Sequence, residues 1–145
     1  MAIIHIGNVE VVVRSRGEHC PPHVHADCSP EGWSARFKFF FTLDDVMFWD
    51  FQPDNPQREP SASRLDGIGL AISQNLARIR QRWWEVMATT CLENQYVHQT
   101  ANGLLVIENK RLRKGLPKVR SATYEPATQT VTVILTNGTS YKEVL

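Results

Sequence analysis

The sequence has no apolar run approaching the roughly 20 residues that a membrane helix needs, and its opening residues, Met1 to Gly17, alternate apolar and polar side chains instead of forming a signal-peptide core. A soluble, cytoplasmic protein without membrane contact is expected. Cysteine is scarce: Cys20, Cys28 and Cys91 are an odd set with no paired framework, which argues for reduced thiols and against a disulfide scaffold. Also missing are a glycine-rich phosphate loop, a nucleophile elbow and a His-Glu-x-x-His pair, so common nucleotide-binding and hydrolase signatures are excluded. What remains, with 42% hydrophobic and 21% charged residues over 145 positions, is globular composition for one domain or a small domain with an appended module.

The net charge of +1 conceals an asymmetry. Residues 1–60 hold 5 Lys/Arg against 9 Asp/Glu, whereas residues 61–145 hold 11 against 6. The second half is the better candidate for an anionic partner. Its basic stretch from Lys110 to Arg120 includes Lys110, Arg111, Arg113 and Lys114, which could neutralise several phosphates of a nucleic acid. A solvated hinge is the plainer reading, and no recognition helix for a major groove follows the stretch.

Chemistry concentrates in Gly17-Glu18-His19-Cys20-Pro21-Pro22-His23-Val24-His25-Ala26, which holds three of the five histidines. The two prolines fix their own φ and push Cys20 towards extended geometry, so the segment reads as polyproline II entering a strand. Alternate side chains of a strand share a face, which puts His23 and His25 on the same side. That pair could hold a metal, a phosphate or a carboxylate. His19 would lie roughly 12 Å from His23 if both prolines are trans, so a site shared by all three histidines needs a turn or a cis proline.

A zinc reading takes His23 and His25 as ligands, with His19 or Cys20 as further candidates and Cys28 nearby. The second short-spaced Cys/His pair of a structural zinc motif is missing, and His98 or an acidic loop residue could serve only as a remote ligand. A catalytic reading takes Glu18 as general base or orienting carboxylate, His19 or His23 as acid/base with His25 on the same face, and Arg14 or Arg16 as an anion clamp, a set suited to a phosphodiester or nucleotide. In the third reading the prolines set a bend and the histidines only hydrogen-bond the groups around it. Enzyme and non-enzymatic binding protein both stay open.

Along the chain, residues 2–14 read as a hairpin about Gly7-Asn8. Val24 and Ala26 begin a strand, Cys28 to Gly32 is a turn, Trp33 to Thr42 is a strand with Phe37, Phe39 and Phe41 on one face, and Val46 to Phe51 is another strand, giving about four antiparallel strands. Asp44, Asp45, Asp50 and Asp54 have the chemistry of turns and caps, and Gln52 to Ser61, with three prolines, is a loop. Ser63 can cap a helix of about seven turns whose apolar stripe is Leu65, Ile68, Ile72, Leu76, Ile79, Trp83 and Val86, with Arg78, Arg80 and Arg82 on a solvated face. Tyr96-Val97-His98 is short and uncommitted, and Gly103 to Ile107 forms a strand. Strands near 119–125, 130–136 and 139–144 follow, with Asn137-Gly138 turning the last pair. The expected fold is α+β: a mostly antiparallel sheet covered by one long helix in residues 1–94, a connecting segment with a basic linker in 95–118, and a C-terminal β-meander in 119–145. Three short strands bury little alone, so the meander is expected to dock on the first unit or on a partner chain, in keeping with a homo-oligomer.

From Ile3 to about Met87, and most specifically in Glu18-His19-x-Pro21-Pro22-His23-x-His25, the chain resembles the prokaryotic family called domain of unknown function 4160. Pro117-x-Val119, Val131-x-Val133 and the Asn137-Gly138 turn are similar to a second family, domain of unknown function 2442. The first resemblance implies a cytoplasmic protein often encoded beside toxin–antitoxin genes and on mobile elements, and a long helix ending near a tryptophan, the place of Trp83 or Trp84. Together the two imply a toxin–antitoxin-type or mobile-element protein acting through a protein partner or nucleic acid. The alternatives are a metal- or histidine-dependent hydrolase of a phosphodiester or nucleotide, and a non-enzymatic protein that blocks a host or phage defence complex.

Overall fold

The computed structural model describes residues 2–53 and 57–145; the turn role expected of Asp54 and the loop position of Pro56 lie outside the described residues. The chain divides into two units, Met1–Phe40 with Asp44–Met87, and Phe41–Leu43 with Ala88–Leu145.

In the first unit the period-two alternation builds one antiparallel sheet. Its strands are β1 (Ile4–Ile6), β2 (Val9–Val12), β3 (His23–Cys28), β4 (Trp33–Lys38) and β5 (Met47–Gln52), ordered β1-β2-β3-β4-β5. Gly7 has the positive φ (59°) that the tight β1–β2 turn demands. Val9, Val11, Val24, Ala26, Cys28, Trp33, Ala35 and Phe37 are buried. A bulge between Arg36 and Phe37 pairs Phe37 with Phe48 but Arg36 with Asp50, so Trp49 falls outside the register.

The expected long helix is corrected. Two helices of twelve residues stand in its place, α1 (Ala62–Ser73) and α2 (Leu76–Met87). Asn75 interrupts them: its side-chain amide donates to the Ala71 carbonyl at 2.8 Å and its backbone N–H goes to Ile72, one residue short of the helical partner. An amide side chain that competes for backbone groups in this way favours a helix end. The apolar spacing survives because Ile68 and Ile72 on α1 and Leu76, Ile79 and Trp83 on α2 are all buried. The cap is Ser61, whose hydroxyl accepts from the Arg64 N–H, and not Ser63. Arg80 is not on a solvated face. It is buried, donating from Nε to the Phe40 carbonyl at 2.8 Å and from Nη2 to Asp44 at 3.1 Å.

The second unit contains a hairpin of β6 (Val97–Thr100) and β7 (Gly103–Val106), and a meander of β8 (Val119–Glu125), β9 (Thr130–Leu135) and β10 (Ser140–Val144), ordered β10-β9-β8. Val131, Val133 and Leu135 are buried, as are Val97, Leu104, Val119 and Tyr124. Residues 95–118 are therefore structured: beyond the hairpin, Asn109 caps a 3-10 turn at Lys110–Leu112, and Tyr96 bridges to Lys118. Over the described residues the protein is mostly β, with ten strands in three antiparallel sheets. That replaces the expectation of a sheet covered by one long helix.

Gly103 shows how closely the second unit is packed. Its φ is +131°, and a Cβ there would sit 2.0 Å from the Thr42 carbonyl oxygen and 3.2 Å from Leu43. Backbone strain and overpacking together should cost roughly 2–4 kcal/mol. Gly103→Ala should therefore lower the urea midpoint well below wild type, and an unchanged midpoint would refute this packing.

Two of the three cysteines also depart from expectation. Neither Cys20 nor Cys91 is a free thiol, and Cys28 is free and buried. Burial, and then the Glu31 side chain, push the Cys28 thiol pKa up. The odd count therefore did not mean three reduced thiols.

Candidate metal centre

After β2 the chain loops through Arg14 to Pro22 before entering β3, and this loop brings Glu18 onto the start of that strand. The Glu18 side chain is only 4% exposed. His23 and His25, two residues apart on β3, present their imidazoles together with ring centroids 5.1 Å apart. His25 Nε2 lies 2.9 Å from Glu18 Oε1, and His23 Nε2 lies 3.5 Å from the same oxygen. One ligand atom from each of the three residues falls within 4.8 Å of the others.

Proton accounting makes this cluster unusual. His23 Nδ1 is 2.8 Å from the Pro21 carbonyl oxygen, which can only accept, so the Nδ1 proton is used there and the neutral ring turns its Nε2 lone pair towards Glu18. A proton on His25 Nε2 can serve Glu18 Oε1. That leaves Glu18 Oε2 buried with no hydrogen-bond partner, while the bare Nε2 of His23 lies 3.5 Å from Oε1 of the same carboxylate. Burial holds the His23 pKa below the usual histidine value; the Pro21 carbonyl and Glu18 raise it, and His25 and Arg36 lower it further. The site therefore has more lone pairs than protons. A divalent cation would satisfy them, and ligand atoms about 3.3 Å apart are what bonds of 2.0–2.1 Å in tetrahedral geometry require.

Around the cluster is a cavity of about 340 Å³ lined by Arg14, Arg16, His19, Ser34, Arg36 and Gln52 as well as the three candidate ligands. Arg36 is committed: it makes a two-pronged pair with Asp50, and its guanidinium stacks 3.9 Å from the Trp49 ring centre. The hydrogen bond from Arg36 is the main reason that the Asp50 pKa is held down. Asp50 is thus a mid-strand ion-pair partner and not the turn residue expected. Arg14 has only a long contact of 3.4 Å to Asp27. Arg16 is exposed on the cavity wall.

Among the expected site residues the structure brings together Glu18, His23 and His25, with Arg14 and Arg16 on the wall. His19 lies closer than an all-trans segment allows, its ring 5.3 Å from that of His23 across the cis Cys20–Pro21 bond. Its Nδ1 pairs with the Cys20 carbonyl at 3.0 Å, and the ring stays outside the three-residue cluster. Cys20 is excluded as a thiolate ligand by its disulfide. Among the described residues, the cluster that could hold a metal has the carboxylate Glu18 beside His23 and His25, and does not include His19 or Cys20. His98 is exposed on β6 in the second unit. So are Lys110, Arg111 and Lys114, while Arg113 donates to the Ile107 carbonyl and lies over Tyr96. Sequence reading missed Arg36, Asp50 and Trp49 around the cavity; the only hint was one Arg and one Asp on adjacent strands. No family model matches the chain, nor does any curated protein or solved structure.

Proposed function

We propose that Glu18, His23 and His25 hold a divalent metal, zinc being the ion that best suits two imidazoles and a carboxylate, and that the first unit is a metal-dependent hydrolase of phosphodiesters or nucleotides. The observation that carries this reading is the buried Glu18 carboxylate, whose Oε1 lies 2.9 Å from His25 Nε2 and 3.5 Å from His23 Nε2 while its Oε2 has no hydrogen-bond partner. Three protein ligands leave a coordination position open, the mark of a catalytic and not a structural zinc site. The Pro21 carbonyl fixes the His23 tautomer, the second-sphere role that keeps a ligand ring oriented. When bound, zinc would lower the pKa of water to about 7 and polarise a phosphoryl oxygen.

The chain's own residues then supply the rest. Arg14 and Arg16 neutralise the phosphate at the cavity wall, and Arg36, fixed by Asp50 and Trp49, adds a positive field that does not need to reorganise. A cavity of this size accommodates a nucleotide-sized group. Turnover of bis(p-nitrophenyl) phosphate by the zinc-loaded protein tests the reading. We expect Glu18→Gln to remove turnover and Arg16→Ala to lower kcat/KM by roughly 10- to 100-fold with zinc content unchanged. A zinc-loaded protein no faster than free zinc would reject the hydrolase.

A further inference from the structure

A second feature of the first unit lies apart from the metal centre. Between α1 and the segment leading into β5 runs a groove of about 290 Å³, with Phe37, Val46, Leu65 and Gly69 along it and Phe48 and Leu70 at its lips. Leu70 is 60% exposed, and Met47 and Phe48 on the adjoining edge strand are 53% and 42% exposed. Three carboxylates, Asp44, Asp45 and Asp66, rim the groove, and among the described residues only Asp44 is shared with an arginine, Arg80. Large apolar side chains at an acidic rim on a sheet edge make a surface that favours a partner with an apolar tip and positive flanks.

The chain itself carries such a segment. In the second unit, the 3-10 turn at Lys110–Leu112 exposes Leu112 by 61%, with exposed Lys110 and Arg111 before it and Lys114 after. Arg113 does not share that exposure; its contacts with Ile107 and Tyr96 anchor the turn and hold Leu112 outward. We infer that the acidic groove of one copy receives the basic, leucine-tipped turn of a second copy. The charges of the two units point the same way: residues 1–40 with 44–87 hold 9 Lys/Arg against 11 Asp/Glu, and residues 41–43 with 88–145 hold 7 against 4, so the contact sets a mildly acidic unit against a basic one. Made reciprocally between two copies, the contact would be isologous and give a two-fold dimer. This inference is independent of the metal centre, whose residues it does not use.

The test is light scattering on the full, untagged chain at low salt. We expect twice the chain mass, with dissociation strengthened at least tenfold by 0.5 M salt or by Leu112→Glu. Asp45→Lys combined with Asp66→Lys should also give monomers, and adding Lys110→Glu and Arg111→Glu to that variant should restore the dimer, with circular dichroism reporting the fold of each. The restoration is what a merely damaged protein could not show. A wild-type monomer at all concentrations overturns the inference. So does a dimer indifferent to Leu112→Glu, or a monomer whose basic turn instead retains nucleic acid, seen as 260 nm absorbance lost on Lys110→Glu.

Discussion

Protein purified without an affinity tag should carry about one zinc per chain, and the paired substitution His23→Ala with His25→Ala should abolish it. Single replacement of Glu18 by Gln should weaken retention without reshaping the site, since it removes the one negative charge while keeping a similar volume. Because ligand nitrogens must be unprotonated, zinc retention should fall on acidification, an unperturbed histidine taking up its proton near pH 6.5. Burial holds the His23 pKa under that value, so protons compete with metal at His23 only at lower pH than they would at an exposed histidine. Elemental analysis after dialysis from pH 7.5 down to 5 reads both effects. Metal-free protein with a wild-type spectrum and stability would mean that the prolines and histidines only shape the bend, with His25 donating to Glu18 and His23 to Pro21.

The largest effect on stability should come from Trp83. It is fully buried, with its ring 5.5 Å from that of His23 and 6.0 Å from that of Phe39. Truncation to alanine leaves a cavity where helix α2 meets the sheet and should cost roughly 3–5 kcal/mol. For a chain of this length that is a fall in Tm of about 10 °C or more. The same cavity lies beside a proposed ligand, so zinc affinity should also drop, by about 10- to 100-fold for the loss of a supporting contact. Trp83→Phe, which keeps most of the packing, should lose far less of both. A thermal melt of Trp83→Ala within 2–3 °C of wild type would show that α2 does not depend on this side chain.

Periodicity in the sequence was enough for the hairpin about Gly7-Asn8, for β3, β5 and the three strands of the meander, because alternation and turn residues act over a few positions, but β4 ends at Lys38 and not at the expected Thr42, leaving Phe39 and Phe41 beyond it. Periodicity also placed His23 and His25 on one face, since that follows from strand geometry alone. The helix break at Asn75 left no trace in the apolar spacing: both halves keep their stripe inward, and the interruption depends on one side-chain amide choosing a backbone carbonyl. Arg80 was read as solvated because charge normally stays out of a core; only the folded chain supplies the Phe40 carbonyl and Asp44 that make its burial tolerable. The oxidised state of Cys20 and of Cys91 is likewise invisible to local reading, because no second cysteine lies close to either in the sequence at a motif spacing. The site divides along the same line. Sequence by itself determined that His23 and His25 share one face of a strand, through the His-x-His spacing and the prolines that precede it. Tertiary structure alone decided that Glu18, and neither His19 nor Cys20, completes the cluster, because whether a loop residue reaches a strand depends on the path of the whole loop and on which polar atoms burial leaves without protons.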